Sequence, residues 1–170
     1  MKKTISVLLS LISVICIAFA LGGCQLPTID SFTVGTYETY EVEGEPFIKA
    51  KFILRAISKE EFESSDGINV IKNDSKSKSN KIYYSFELFV YDDVKQDYEQ
   101  IKILNIRHVV GTPFSYDIQT EYESNGNAIS EMSFVYITKE NKHVPYIAYT
   151  EPTDDGGYIA VIWRFKLIEA

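Results

Sequence analysis

Apolar and polar residues alternate with a period of two through most of the chain after residue 31, and that period predicts strands. The clearest run is FIKAKFILRAI, 47–57, where Ile48, Ala50, Phe52 and Leu54 share one face and Lys49, Lys51 and Arg55 the other. KIYYSFELFVY, 81–91, puts Tyr84, Phe86, Leu88 and Val90 together. FSYDIQTEYE, 114–123, sets Phe114, Tyr116, Ile118 and Tyr122 against Ser115, Asp117, Gln119, Glu121 and Glu123. YIAVIWRFKLI, 158–168, aligns Ile159, Val161, Trp163, Phe165 and Leu167. Four less regular runs follow the same rule. They are FTVGTYETYEVE at 32–43, YEQIKILNIRHVV at 98–110, AISEMSFVYIT at 128–138 and HVPYIAYT at 143–150. A bulge is expected near Gly35, and Pro145 predicts an edge position or a bulge, because proline cannot donate to a ladder.

Short turns separate these runs. Glu43-Gly44-Glu45-Pro46, the DDVKQD stretch, KENK and EPTDDGG all carry turn residues, and Asn125-Gly126 is a strong hairpin signal. The period changes once. Ser58 is placed as an N-cap, Glu61 closes a capping box, Ile57 and Phe62 are spaced for a hydrophobic staple, and Gly67 stops the run. One short helix is expected at 59–65. NDSKSKSN, 73–80, has no apolar content and reads as a solvated loop, with a lysine-based patch as the alternative.

The expected fold class is all-β: about eight antiparallel strands in a meander, closed as a barrel or stacked as an immunoglobulin-like or other sandwich, with mixed α+β arrangements as a further alternative. A barrel with one short helix resembles bacterial lipocalin-like domains. Gly35-Thr36-Tyr37 and Trp163-Arg164 echo the start and end of that family, but no tryptophan follows the glycine as the family's first motif requires.

The first residues follow another logic. Lys2 and Lys3 precede an uncharged apolar run from Ile5 to Leu21. A charged start, an apolar middle and a small-residue end form a secretory signal layout. A membrane span needs about 20 apolar residues, and this run is short and interrupted by Ser6, Ser10 and Ser13. Its ending, Leu21-Gly22-Gly23-Cys24, resembles a lipobox, the processing site of bacterial lipoproteins. The resemblance implies that the Cys24 thiol receives a diacylglyceryl group and that cleavage before it makes Cys24 the first mature residue. Gln25 in place of Asp resembles the pattern sent to the outer membrane in a two-membrane bacterium. The expected division is a signal peptide at 1–23, a lipidated tether at 24–31 and a single extracytoplasmic domain at 32–170. Each buried methylene contributes about 0.8 kcal/mol, so two or three acyl chains anchor stably where one does not. Seven extended residues reach roughly 25 Å, which keeps the domain close to the bilayer.

Charge narrows the function. The chain has 17 Lys and Arg against 24 Asp and Glu. Removing 1–23 takes away Lys2 and Lys3 alone, leaving 15 against 24, or −9. That balance argues against nucleic acid and against a basic membrane-adsorbing face. Of the two cysteines, Cys16 lies in the signal and Cys24 at the lipobox, so the mature domain has neither a disulfide nor a thiol nucleophile.

Candidate chemistry is sparse. His108 and His143 would make a zinc site only if brought together with carboxylates. Asp92-Asp93 and Asp154-Asp155 sit in turns, where Asp belongs, with a calcium site at 153–157 as the alternative. No nucleophilic-serine motif appears, and Ser75-Lys76-Ser77-Lys78 reads as loop. Tyr37, Tyr40, Tyr84, Tyr116, Tyr122 and Tyr136 either line a pocket or build the core. No catalytic residue, metal or cofactor is assigned. The reading is a non-enzymatic binding module, held to membrane lipid through acylated Cys24 on the extracytoplasmic face, for a small ligand or a protein partner. A structural or assembly component of the envelope is the alternative, and a carboxylate-based hydrolase a third.

Overall fold

The computed structural model describes residues 32–44, 47–65, 69–73, 81–110, 112, 114–124, 126–139 and 142–170. Cys24, the lipobox, Gly67, Asn125 and the 74–80 loop lie outside the described residues. The strands are β1 (Gly35–Glu43), β2 (Ala50–Ile57), β3 (Val70–Asn73), β4 (Ile82–Asp92), β5 (Asp97–Gln100), β6 (Lys102–His108), β7 (Ser115–Ser124), β8 (Asn127–Lys139), β9 (Lys142–Pro152) and β10 (Tyr158–Glu169). The one helix among the described residues is α1 (Lys59–Ser64). All pairings are antiparallel, in the order β3-β4-β2-β1-β10-β9-β8-β7-β6, and the sheet curls into a nearly closed barrel. The choice between barrel and sandwich is therefore settled for the barrel.

One stretch of chain carries much of the closure. The run at 98–110 reads as a single strand, but it changes partner at Ile101. β5 pairs with the last turnward residues of β4, Phe89↔Gln100 to Asp92↔Asp97. The Ile101 amide still donates to the Leu88 carbonyl at 2.8 Å. From Lys102 onward the chain follows β7 instead, Lys102↔Glu121 to His108↔Tyr116. One continuous stretch thus joins β4 to β7 at one end of the barrel. At the other end β3 takes the place beside β4, Val70↔Ser85 to Asn73↔Ile82, and lies next to β6 without a ladder. β3 is absent from the sequence reading, because four residues beside a polar loop carry too little alternation.

The expected faces are the buried ones, except at the end of β10, where Leu167 is exposed. Ala50, Phe52 and Leu54, then Tyr84, Phe86 and Leu88, then Val161, Trp163 and Phe165 are all at most 1 % exposed. Stripes from every long strand meet inside, as the period-two pleat requires. The first strand starts later than expected, at Gly35 instead of residue 32, with register shifts at Thr36/Tyr37 and Thr39/Glu41. Gly35 has φ +144°, and a Cβ there would lie 2.2 Å from the Glu169 carbonyl oxygen, so the bulge needs glycine.

Pro145 takes a local edge position, one residue past the end of the β9–β10 ladder. It sits within β9, opposite Tyr136 of β8. The Tyr136 amide donates to Phe114 at 3.0 Å, on the β7 side, so the Tyr136–Pro145 pair exchanges no hydrogen bond. The proline nitrogen faces toward β10, whose ladder with β9 ends at Tyr146. The missing donor therefore costs nothing.

The helix forms as its signature requires. The Glu61 amide donates to Ser58 Oγ at 3.1 Å and the Ser58 amide donates to Glu61 Oε2 at 2.7 Å. Phe62 packs on Tyr83 with ring centroids 4.5 Å apart, which docks the helix on the outside of β4.

Candidate functional site

The barrel interior is filled by rings. Phe52 touches Phe86, Phe134 and Phe165 at centroid distances of 5.4, 5.5 and 4.9 Å, and Tyr37 stacks on Phe52 at 4.4 Å. Of the six tyrosines weighed from the sequence, Tyr37, Tyr84, Tyr116 and Tyr136 are core residues at most 2 % exposed. Tyr40 points outward, and Tyr122 is half-buried beside Trp163.

Three of the core tyrosines do a second job. Phe32 precedes β1 and turns into the barrel end nearest the chain start, with its ring against Tyr84 at 5.1 Å and Tyr136 at 4.9 Å. The Phe32 amide donates to Tyr84 Oη at 3.1 Å, and the Thr33 amide to Tyr136 Oη at 3.2 Å. Tyr37 Oη donates to the Thr33 carbonyl at 2.7 Å and lies 3.2 Å from Tyr136 Oη. Backbone groups that enter an apolar interior must find partners, and the tyrosine hydroxyls supply them. Burial pushes the Tyr37 and Tyr84 phenols above their ordinary range, and the Tyr136 hydroxyl adds to the shift at Tyr37. Sequence pattern places Phe32 in a strand; only the tertiary fold reveals it as a plug.

A groove of about 390 Å³ crosses the outer face of β6 to β10. Two lateral rows build it. One runs Arg107, Asp117, Ser133, Ala148, and the other includes Asn105, Gln119 and Glu131, each residue in register with the next. Thr150 pairs with Ala160 at the far side. Outward positions on a sheet usually carry long polar side chains. Here Ser133, Ala148, Thr150 and Ala160 leave the surface hollow. That run of small residues at outward positions is the signal the sequence offered for the groove. Arg107 bridges to Asp117 at 3.2 Å on its rim.

The candidate chemical residues do not converge. His108 stands edge-on to Tyr116 at 5.3 Å on β6, while His143 belongs to β9, with β7 and β8 between them. Asp92 Oδ1 accepts from the Val94 and Lys95 amides at 2.8 and 3.1 Å, which holds its carboxyl below the usual range. Asp155 accepts from the Thr153 hydroxyl and from the Gly157 amide at 3.2 Å, with the same effect. Both aspartates thus serve their own turns. Among the described residues no group of three His, Cys, Asp or Glu is placed to hold a metal, and no helix is long and apolar enough to cross a membrane. No family model, curated protein or solved structure matches this chain.

On the outside of β2, β4 and β5 cations stack on rings. Lys49 Nζ lies 4.4 Å from the Tyr91 ring centroid and Lys51 Nζ 4.0 Å from that of Tyr98. Tyr98 Oη donates to Glu38 at 3.3 Å, and partial burial beside that carboxylate pushes its phenol up to about 12.

Proposed function

We propose that this chain is a lipid-anchored, non-enzymatic binding module on the extracytoplasmic face of a membrane, and that it recognises a protein partner through its outer surface. Cys24 carries the lipid; the tether is 24–31. The observation that carries the reading is the ring-filled interior, which favours recognition outside the barrel over a small ligand held within it. The outer groove of β6 to β10 is the surface best shaped for it. Its neutral hydrogen-bonding groups, Asn105, Gln119, Ser133 and Thr150, suit an extended polar segment of a partner. The excess of acid over base supports a partner other than nucleic acid.

The test is photo-crosslinking in the native membrane. A photoreactive residue at Ser133 is expected to give one discrete protein adduct that is absent when it sits at Arg55, on another face. Ser133→Arg, which fills the groove, should abolish competition by unlabelled protein. A small molecule that co-purifies with the folded domain in native mass spectrometry, without any adduct, would replace this reading by a carrier role.

A further inference from the structure

The barrel has two unlike ends. The chain start, Phe32, the β6–β7 turn and the end of β10 lie at one, here called proximal. The β1–β2, β4–β5, β7–β8 and β9–β10 turns lie at the other, the distal end. We propose that the proximal end is a membrane-resting surface, so that the barrel stands on the lipid bilayer and points its distal turns away. The inference rests on the lipid anchor at Cys24.

Chain geometry limits the choice of end. Eight residues, 24–31, connect the anchor to Phe32, and fully extended they span roughly 26–29 Å. β10 alone has twelve residues, or roughly 40 Å of strand at 3.3 Å each. Phe32 does not swing, because its ring is buried and both it and Thr33 are bonded to tyrosine hydroxyls inside the barrel. The tether therefore leaves from a fixed point on the proximal end and is too short to lay the distal end comfortably on the same bilayer.

The two rims differ in charge, not in apolar exposure. The proximal rim exposes Val34, Val110, Leu167 and Ile168, and the distal turns expose Phe47, Val94 and Tyr158. On whichever rim the tether brings to the bilayer, such side chains lower their free energy at the headgroup boundary. On the proximal side Lys59, Lys72, Lys81 and Lys166 stand against Glu60, Glu61, Glu63 and Glu169, so the two signs balance. The distal turns and strand ends carry Glu43, Asp92, Asp93, Asp97, Asp154 and Asp155 against Lys95, an excess of acid. An anionic leaflet repels that end and tolerates the other, within a Debye length of its surface. The negative charge of the domain thus orients it, although it opposes adsorption of the domain as a whole.

Two valines make a matched test. Val110 is 94 % exposed on the proximal rim and Val94 is 93 % exposed on a distal turn. With Cys24 acylated, a cysteine introduced at either position is the mature chain's one free thiol. Full-length protein carrying Val110→Cys or Val94→Cys is labelled with a fluorophore and reconstituted in phosphatidylglycerol–phosphatidylethanolamine vesicles that contain a headgroup nitroxide quencher. Several-fold stronger quenching at 110 than at 94 supports the orientation. Equal quenching, or the reverse order, in protein that sediments with vesicles and incorporates palmitate overturns the orientation and leaves the anchor standing. Protein that stays in the supernatant and takes up no palmitate overturns both.

Discussion

At the proximal end, a phenylalanine ring and three tyrosine hydroxyls close the barrel from inside, whereas at the distal end carboxylates fold back on their own turns. The proximal closure is long-range: Thr33 and Tyr136 are 103 residues apart, and Phe32 and Tyr84 are 52 apart. The distal closures are local, each made within a few residues of Asp92 or Asp155. Below the distal turns the interior is held by Trp163, whose ring stands edge-on to Tyr149 at 5.3 Å and Tyr122 at 5.8 Å. Glu151 is buried there too, with Asn127 Nδ2 3.5 Å from its Oε1. The difference teaches that one end is sealed by tertiary structure and the other by turn chemistry. Perturbation should find the first more costly and more global.

The largest effect is expected for Phe32→Ala. It empties a buried ring site that touches five other rings, and such truncations cost about 3–5 kcal/mol. Thermal unfolding followed by circular dichroism should shift down by on the order of 10 °C. A shift no larger than that of an exposed substitution would show that the plug is dispensable.

Gly44→Ala attacks the distal end. The backbone there has φ +90°, and a Cβ would meet the Ala160 carbonyl oxygen at 2.2 Å. Strain of this kind costs about 1–3 kcal/mol, measurable as a lower urea midpoint. Tyr136→Phe leaves the ring in place but removes the acceptor of the Thr33 amide and the neighbour of Tyr37 Oη. A buried donor left without its partner costs about 1–3 kcal/mol. Hydrogen exchange should accelerate at Thr33 well before it does at Val94. Ser58→Ala removes the cap of α1 at a cost of about 1 kcal/mol, and the double variant Ser58→Ala, Glu61→Ala should lose little more, because the two bonds form one box.

The smallest effects come from pH and separate the ends most cleanly. Asp92 and Asp155 titrate below their unfolded values. Their contribution is complete above the unfolded carboxylate range, near pH 4, and is lost as pH falls through the lower folded values. Tyr37 and Tyr84 titrate above theirs. Their contribution is complete below about pH 10 and disappears as pH rises beyond it. Exchange monitored by residue should therefore loosen the distal turns first in acid and the proximal plug first in alkali. The same order at both extremes would contradict the assignment of closure chemistry to ends.

What was legible from sequence sorts along the same line. The faces of β2, β4 and β10 follow from alternation because each strand has one buried side, and the Ser58–Glu61 box follows because both of its bonds are local. The pairing of Ser124 with Asn127, beside Gly126 at φ +79°, is local as well. The plug was not legible, since Phe32 continues an apolar-polar run and nothing nearby marks its departure from the ladder. Nor was the partner change at Ile101, because QIKI alternates smoothly and contains no Gly or Pro. Thr120 reads as polar, yet it is buried and donates to the Ile129 carbonyl at 2.6 Å, a use of threonine that only a neighbouring strand defines. The groove was half legible: its small residues are visible in sequence, but their alignment across strands is set by register.

The pairing of β1 with β10 has a consequence for biogenesis. Thr36 meets Glu169, so β1 can pair with β2 early but its ladder with β10 waits until the last strand is delivered. Native contacts of such high sequence separation slow folding. A chain delivered amino end first would leave the β10 side of β1 unpaired until β10 emerges, and open aromatic strands invite aggregation in that interval.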